Sequence, residues 1–229
     1  MKFQNVWFDL GLTLVRIPVE EAYAQVLQAF EIEKSGSDIR RAFYLANKAF
    51  MKEYPHVLGT DSAHFMPWYL GVLNYHLGVR LNLQACAKLY SELNQQMNVK
   101  WQLIDGAVET LQKLKSLGIQ TGLISNWNQT CRTVLSENGL DKLLNPIVIS
   151  SEVGFEKPDS RIFVTAIKLA NADPEKSLYV GDNYYDDVIG ARKVGMKCLL
   201  ISPYQRLGIE EIDHAPIITD VREVVHYIE

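Results

Sequence analysis

The sequence predicts an α/β fold, a doubly wound parallel sheet into which an all-helical domain is inserted, and three observations carry that expectation. Short apolar runs alternate with helical periodicity over the second half of the chain. A block from roughly residue 18 to 100 is helical in pattern, with hardly a strand signal in it. One apolar strand precedes that block. Continuous apolar strands separated by helices indicate a parallel sheet covered on both faces.

In chain order, Asn5 to Phe8 is the first strand, closed by Asp9 and a polar turn. Helices are expected over Val19–Phe30, Ser37–Tyr54, Ser62–Leu77 and Leu83–Val99, the last with Asn82 as N-cap, and Pro18, Gly36, Pro55 and Gly59 punctuate them. The alternating part follows: helix Ala107–Leu117 ending at Gly118, strand Gln120–Ile124, helix Thr130–Asn138 ending at Gly139, and strand Ile147–Ser150. Next come helix Arg161–Ala170, strand Ser177–Val180, helix Asp187–Val194 before Gly195, and strand Lys197–Ile201. The pair Ile217-Ile218 and a helix over Val221–Ile228 finish the chain. The expected division is a Rossmann-like core of residues 1–15 and 101–229 and a helical domain of residues 16–100, with hinges near Val15–Pro18 and Trp101–Asp105.

Composition narrows the function. The 229 residues are 48% apolar and 22% charged, which suits one core of ordinary size plus a smaller insertion. A net charge of −4 without a basic run disfavours nucleic acid or an anionic membrane as partner, so a small diffusible substrate is expected. No run of about eighteen apolar residues occurs, and Met1-Lys2-Phe3-Gln4-Asn5 leads straight into a strand. Cys86, Cys131 and Cys198 lack metal-ligand spacing and are expected to be reduced thiols, so the protein is expected to be cytoplasmic.

Polar clusters recur at or after the ends of the apolar strands: Asp9, Ser125-Asn126, Lys157-Pro158, and Gly181-Asp182 with Asp187. In an open parallel sheet, ligands sit beyond the carboxyl ends of the strands. Burial of the sheet does not require polar groups from several segments at one edge. An aspartate, a hydroxyl, a lysine and paired acids are what a magnesium-dependent phosphoryl transfer through an aspartyl intermediate needs. Taken alone, Asp9 is as readily a turn cap, Lys157 a surface lysine and Asp186 a helix-start acid.

The ordered set resembles the haloacid dehalogenase-like (HAD) hydrolase superfamily, in its branch with a helical cap between the first and second motifs. Motif one spans Asp9 to Leu14, motif two is Ile124-Ser125-Asn126, motif three is Lys157-Pro158, and motif four runs from Gly181-Asp182 to Asp187. Phe155 to Asp159 with Ile162-Phe163, and Asp187 to Ala191, are similar to the family's flanking sequence. The resemblance implies that Asp9 is the nucleophile, that Ser125, Asn126, Lys157 and Thr13 bind phosphate, and that Lys157 offsets its charge. It also implies Mg²⁺ held by Asp9, the Gly11 main-chain oxygen and Asp182, with Asp187 orienting Asp182 or a bound water. A small phosphorylated metabolite is the implied substrate, and a monomer or homodimer the implied state.

Position 11 departs from the pattern. Family phosphatases carry an aspartate there that protonates the leaving oxygen and then activates water, and a glycine does neither. Leu12 replaces a glycine common at the next position, although leucine tolerates positive φ poorly. A slow phosphatase and a catalytically weakened binding protein are both compatible with this. A phosphonatase-type enzyme would need a cap lysine, Lys48 or Lys52, but both are expected on the exposed face of their helix. A dehalogenase would lack the Gly181-Asp182 metal motif. Tyr44, Phe65, Met66, Trp68, Tyr69 and Tyr75 either line a pocket or pack the helices, and Arg16 is a candidate for a substrate anion. His56 and His64 have no metal-ligand spacing.

Overall fold

The computed structural model describes residues 3–59 and 62–228. The chain divides into two compact units: Met1–Arg16, Gln102–Arg206 and Glu210–Glu229 form one, and Ile17–Trp101 with Leu207–Ile209 the other.

The first unit holds strands β1 (Asn5–Phe8), β2 (Val15–Arg16), β3 (Gln102–Leu103), β4 (Gln120–Ser125), β5 (Ile147–Ile149), β6 (Ser177–Gly181), β7 (Lys197–Ile201) and β8 (Ile217–Ile218). Six of these make one sheet in the order β5-β4-β1-β6-β7-β8, every pairing parallel. The chain steps outward from β1 through β4 to β5, then returns to β6 on the opposite side of β1. The order therefore reverses at β1, and its carboxyl end is where such a sheet opens a ligand crevice. Covered on both faces, β1 is buried along its whole length, which explains its unbroken Val6-Trp7-Phe8 run. Across the β1–β4 pair the Trp7 ring lies on Gly122, where any Cβ would run into the ring. The short strands β2 and β3 pair antiparallel, Val15 with Leu103, across the two segments expected as hinges.

In the second unit, α1 (Glu20–Ala29), α2 (Gly36–Glu53), α3 (Ser62–Leu77) and α4 (Leu83–Gln96) pack around a core that includes Tyr23, Phe43, Phe50, Leu70 and Leu73. The Ser35 hydroxyl accepts the Asp38 N–H at 3.1 Å, so α2 starts ahead of the expected Ser37. Asn82 caps α4 in the same way, accepting from Ala85 at 3.0 Å. Of the six aromatic and Met side chains singled out, Phe65 and Tyr69 belong to this core, and Met66 packs against it. Trp68 stacks edge-on with Tyr54, Tyr75 is exposed, and Tyr44 donates to the Leu207 carbonyl at 2.9 Å. Lys48 corrects an expectation: it is buried, with Gly208 of the same unit against its stem, whereas Lys52 is exposed.

Helices α5 (Ala107–Ser116), α6 (Cys131–Glu137), α7 (Ser150–Val153), α8 (Ser160–Ala170) and α9 (Ile189–Lys193) accompany the sheet. Burying Ile162 and Phe163 of α8 contributes roughly 1.5–3 kcal/mol each. Two expected helices differ. The segment from Asp187 opens as a wide π-type turn, Tyr184–Val188, because the Asn183 side chain accepts from both Tyr185 and Asp186 amides, and α9 begins only afterwards. The last helix is a 3₁₀ helix, Val221–Tyr227, started by a capping box between Asp220 and Glu223. No helix among the described residues is long and apolar enough to cross a membrane. All three cysteines are free and buried, and burial pushes the Cys131 thiol up to about 12, which makes it inert.

Candidate active site

Asp9 continues the ladder past β1, its N–H donating to the Val180 carbonyl at 2.9 Å. That bond holds it at the switch point between β4 and β6. Ser125, the last residue of β4, donates its hydroxyl to Asp9 Oδ1 at 2.9 Å. The Lys157 ammonium donates to the same oxygen at 2.8 Å. Asp9 Oδ2 receives no hydrogen bond from any described residue. One carboxylate oxygen is thus held twice and the other is left available.

Lys157 is buried and donates each of its three protons to a separate acceptor: Asp9 Oδ1, Asp187 Oδ1 at 2.7 Å and Tyr179 Oη at 3.1 Å. Burial alone would depress its pKa, but the Asp187 and Asp9 carboxylates outweigh that and hold the ammonium above the ordinary lysine range. Its backbone is gripped separately. Asn126 Oδ1 accepts the Lys157 N–H at 2.7 Å, and Asn126 Nδ2 donates to the Lys157 carbonyl at 2.9 Å. The loop beyond is tied to α9, since Lys193 donates to the Pro158 carbonyl at 2.8 Å. Gly190 leaves room there for the Phe163 ring.

Asp187 is fully buried; its Oδ1 takes the lysine proton and its Oδ2 the Asn183 N–H at 2.9 Å. Burial is the main cause that pushes its pKa up. Gly181 makes the approach possible, because a Cβ there would overlap the Asp187 carboxylate. Asp9, Asp182 and Asp187 each offer an oxygen, and these lie within 4.8 Å of one another. Asp9 and Asp187 share the Lys157 ammonium and Asp182 brings a third carboxylate beside them, a set of oxygen donors that suits a hard divalent cation. The donor set therefore fits Mg²⁺.

The other predicted residues are placed differently. Gly11 is not among the left-handed glycines, whereas Leu12 is left-handed at φ 55, its N–H donating to the Val15 carbonyl at 2.7 Å. The turn forms despite the leucine. Thr13 is buried and its hydroxyl finds no partner among the described residues, so no hydrogen bond joins it to the Asp9 cluster. Asn126, expected to orient an incoming group, has its amide oxygen and one amide proton committed to Lys157. Two residues have more prominent positions than the sequence suggested. Tyr179 reads as an ordinary strand residue, yet its polar tip contacts Lys157. Asp186 lies in the π-type turn, accepts from Asn183 Nδ2 at 2.9 Å, and is pushed up to about 7 chiefly by burial.

A family model described as haloacid dehalogenase-like hydrolase matches residues 21–201. The chain belongs to the haloacid dehalogenase-like hydrolase family. It is 31% identical to the human haloacid dehalogenase-like hydrolase domain-containing protein 3, over 94% of this chain and 88% of that protein. It is also 31% identical to a glyceraldehyde 3-phosphate phosphatase of Methanothermobacter thermautotrophicus, over 92% of this chain and 78% of that one. Among solved structures, an HAD phosphatase from Thermococcus onnurineus superposes with a TM-score of 0.60 at 21% identity, covering 99% of this chain and 98% of its own. That likeness shows the shared fold.

Proposed function

We propose that this HAD hydrolase is a Mg²⁺-dependent phosphatase that acts on a small phosphorylated metabolite through an aspartyl-phosphate at Asp9. The observation that carries the reading is the division of labour on one carboxylate, with Oδ1 held by Ser125 and Lys157 and Oδ2 left without a partner. Oδ2 attacks phosphorus in line and the bond from phosphorus to the leaving oxygen breaks, its electron pair going to that oxygen, while Ser125 and Lys157 hold Oδ1 and the ammonium offsets the negative charge gathered at the site. Water then cleaves the acyl phosphate, releasing inorganic phosphate and restoring the carboxylate. Asp9, Asp182 and the Gly11 main-chain oxygen would hold the metal, with Asp187 in support. Bound there, Mg²⁺ would neutralise negative charge on the phosphoryl group. Asn126 acts by fixing Lys157, and Thr13 supplies a hydroxyl that still lacks a partner.

Because residue 11 carries no carboxyl, the leaving oxygen departs without a proton from that position. Phosphates whose leaving group is a stable anion are then the better substrates, and turnover of ordinary alkyl phosphates is slow. The name of the archaeal relative, a phosphatase of a small sugar phosphate, supports the substrate class. Gly11 also favours a second reading, a weakened HAD protein that keeps Mg²⁺ and a phosphorylated ligand without turning it over. Phosphate release from a panel of phosphomonoesters, with Mg²⁺ or with chelator, separates the two. The phosphatase reading expects metal-dependent release that Asp9→Asn abolishes. Release unaffected by that substitution contradicts it, and binding without release supports the second reading.

A further inference from the structure

Tyr179 lies in the middle of β6, fully buried, with neighbours Trp7 on β1 and Cys198 on β7. Its ring is held edge-on by Phe163 of α8 at a centroid distance of 5.4 Å. A phenol at such a place must find partners for its polar tip. Two hydrogen bonds reach it, with the Asp187 carboxylate a further neighbour of the hydroxyl, and the chemistry of the two partners assigns their roles. The Ile124 carbonyl, 2.8 Å away, can only accept, so the hydroxyl proton points to it. The Lys157 ammonium, 3.1 Å away, can only donate, so the phenol oxygen accepts from it.

We infer that Tyr179 is a positioning residue for Lys157: its hydroxyl is the neutral third acceptor that completes the ammonium's coordination and keeps another proton aimed at Asp9 Oδ1. The inference rests on the reading of Asp9 and Lys157 as groups that act on phosphate. A buried ammonium with only the two carboxylate acceptors would have one proton unsatisfied and would rotate or tilt to share what remains. A third carboxylate would deepen the excess negative charge, whereas a phenol adds an acceptor without adding charge. The Ile124 carbonyl precedes Ser125, so one tyrosine links the backbone beneath Ser125 to the lysine, and both donors to Asp9 Oδ1 are registered by the same hydroxyl.

The test is made on Tyr179→Phe, with NMR of protein carrying ¹⁵N-lysine and with Lys157→Met to assign the Lys157 ammonium signal. In the parent protein that signal is expected to be visible at neutral pH, its protons protected from exchange. In folded Tyr179→Phe the exchange should speed up about tenfold, the factor one ordinary hydrogen bond is worth, and the resonance should move. An unchanged signal overturns the inference. Should Tyr179→Phe fail to fold, 3-fluorotyrosine placed at position 179 weakens the acceptor while nearly keeping its volume; a shifted signal supports the inference and an unmoved one overturns it. With phosphate release as a further readout, a positioning role predicts a fall in kcat of about tenfold with KM nearly constant. Absence of hydrolysis in the parent protein would defeat the proposed function alone, because the NMR comparison reads the lysine without turnover.

Discussion

The Lys157 ammonium and the Asp9 carboxylate meet at 2.8 Å, with 3% and 13% of their side chains exposed. A pair so enclosed is not a surface ion pair of marginal worth. Removing one partner leaves a buried charge uncompensated.

Lys157→Met is therefore expected to destabilise the metal-free protein by about 3–5 kcal/mol at neutral pH. The lysine's folded pKa is raised, so its contribution is complete below the ordinary lysine range and is lost only as pH rises through the folded value. The buried Asp187 loses its counter-ion in the variant, and its pKa is already pushed up chiefly by burial, so acid that protonates it removes the uncompensated charge. Urea unfolding in chelator at neutral and mildly acidic pH should show the gap between the two proteins narrowing on acidification. A gap independent of pH would contradict the charge argument.

Gly11→Asp is expected to raise phosphate release by roughly 10²-fold, the lower end of what general acid–base help supplies. Mg²⁺ affinity should change little, since the main-chain oxygen at residue 11 is retained. Gly11 is not in the left-handed region, so a side chain there carries no left-handed backbone penalty. Kinetics with and without the substitution, at matched free Mg²⁺, decide the matter.

Leu12 occupies the left-handed region, at a cost of roughly 1–2 kcal/mol for a residue with a Cβ. Leu12→Asn, which enters that region more readily, is expected to stabilise the protein by about 1 kcal/mol, and Leu12→Ile to destabilise it. Equal denaturation midpoints for the three proteins would show that the turn is not strained.

Gly181→Ala should cost about 1–3 kcal/mol, because its Cβ would overlap the Asp187 carboxylate and displace it from Lys157. Calorimetric Mg²⁺ titration of the variant should show weakened binding. Unaltered affinity would mean that Asp187 takes no part in holding the metal.

His214 is buried with Nδ1 2.7 Å from the Arg192 guanidinium and Nε2 3.1 Å from the Cys198 carbonyl. Arginine only donates and a carbonyl only accepts, so Nδ1 is bare and the ring is neutral. Burial first, and the guanidinium second, depress its pKa. Above an unfolded pKa of about 6.5 both states are neutral and His214 adds no pH dependence. Below it the unfolded chain takes a proton that the folded one resists, so stability falls on acidification. His214→Gln should flatten the decline in urea midpoint between about pH 7 and pH 5 relative to the parent protein. A decline of the same slope would assign the acid sensitivity elsewhere.

The order of strands and helices was legible because β1, β4 and β6 are apolar runs with glycines or polar groups at their ends. Asp9 and Ser125 stand at or next to such ends, whereas Lys157 and Asp187 reach the same place through the segments that follow β5 and β6. Periodicity could not reveal the π-type turn at Tyr184, which depends on the Asn183 side chain capturing two amides. Nor could it anticipate Lys48, whose burial depends on a distant segment at Gly208. Tyr179 was hidden for a related reason: a tyrosine in a buried strand has the pattern of a core residue, and only coordinates locate its hydroxyl. A polar-tipped ring amid aliphatic neighbours, one strand away from a candidate nucleophile, was the available signal.

The central claim is that Asp9 becomes phosphorylated, and rapid acid quench during turnover followed by mass spectrometry of the peptide containing Asp9 tests it most directly. The account predicts the mass of one phosphoryl group on Asp9, dependent on Mg²⁺, removed by hydroxylamine and absent from Asp9→Asn. Steady hydrolysis with an unmodified Asp9, or a phosphoryl group on any other residue, would contradict it.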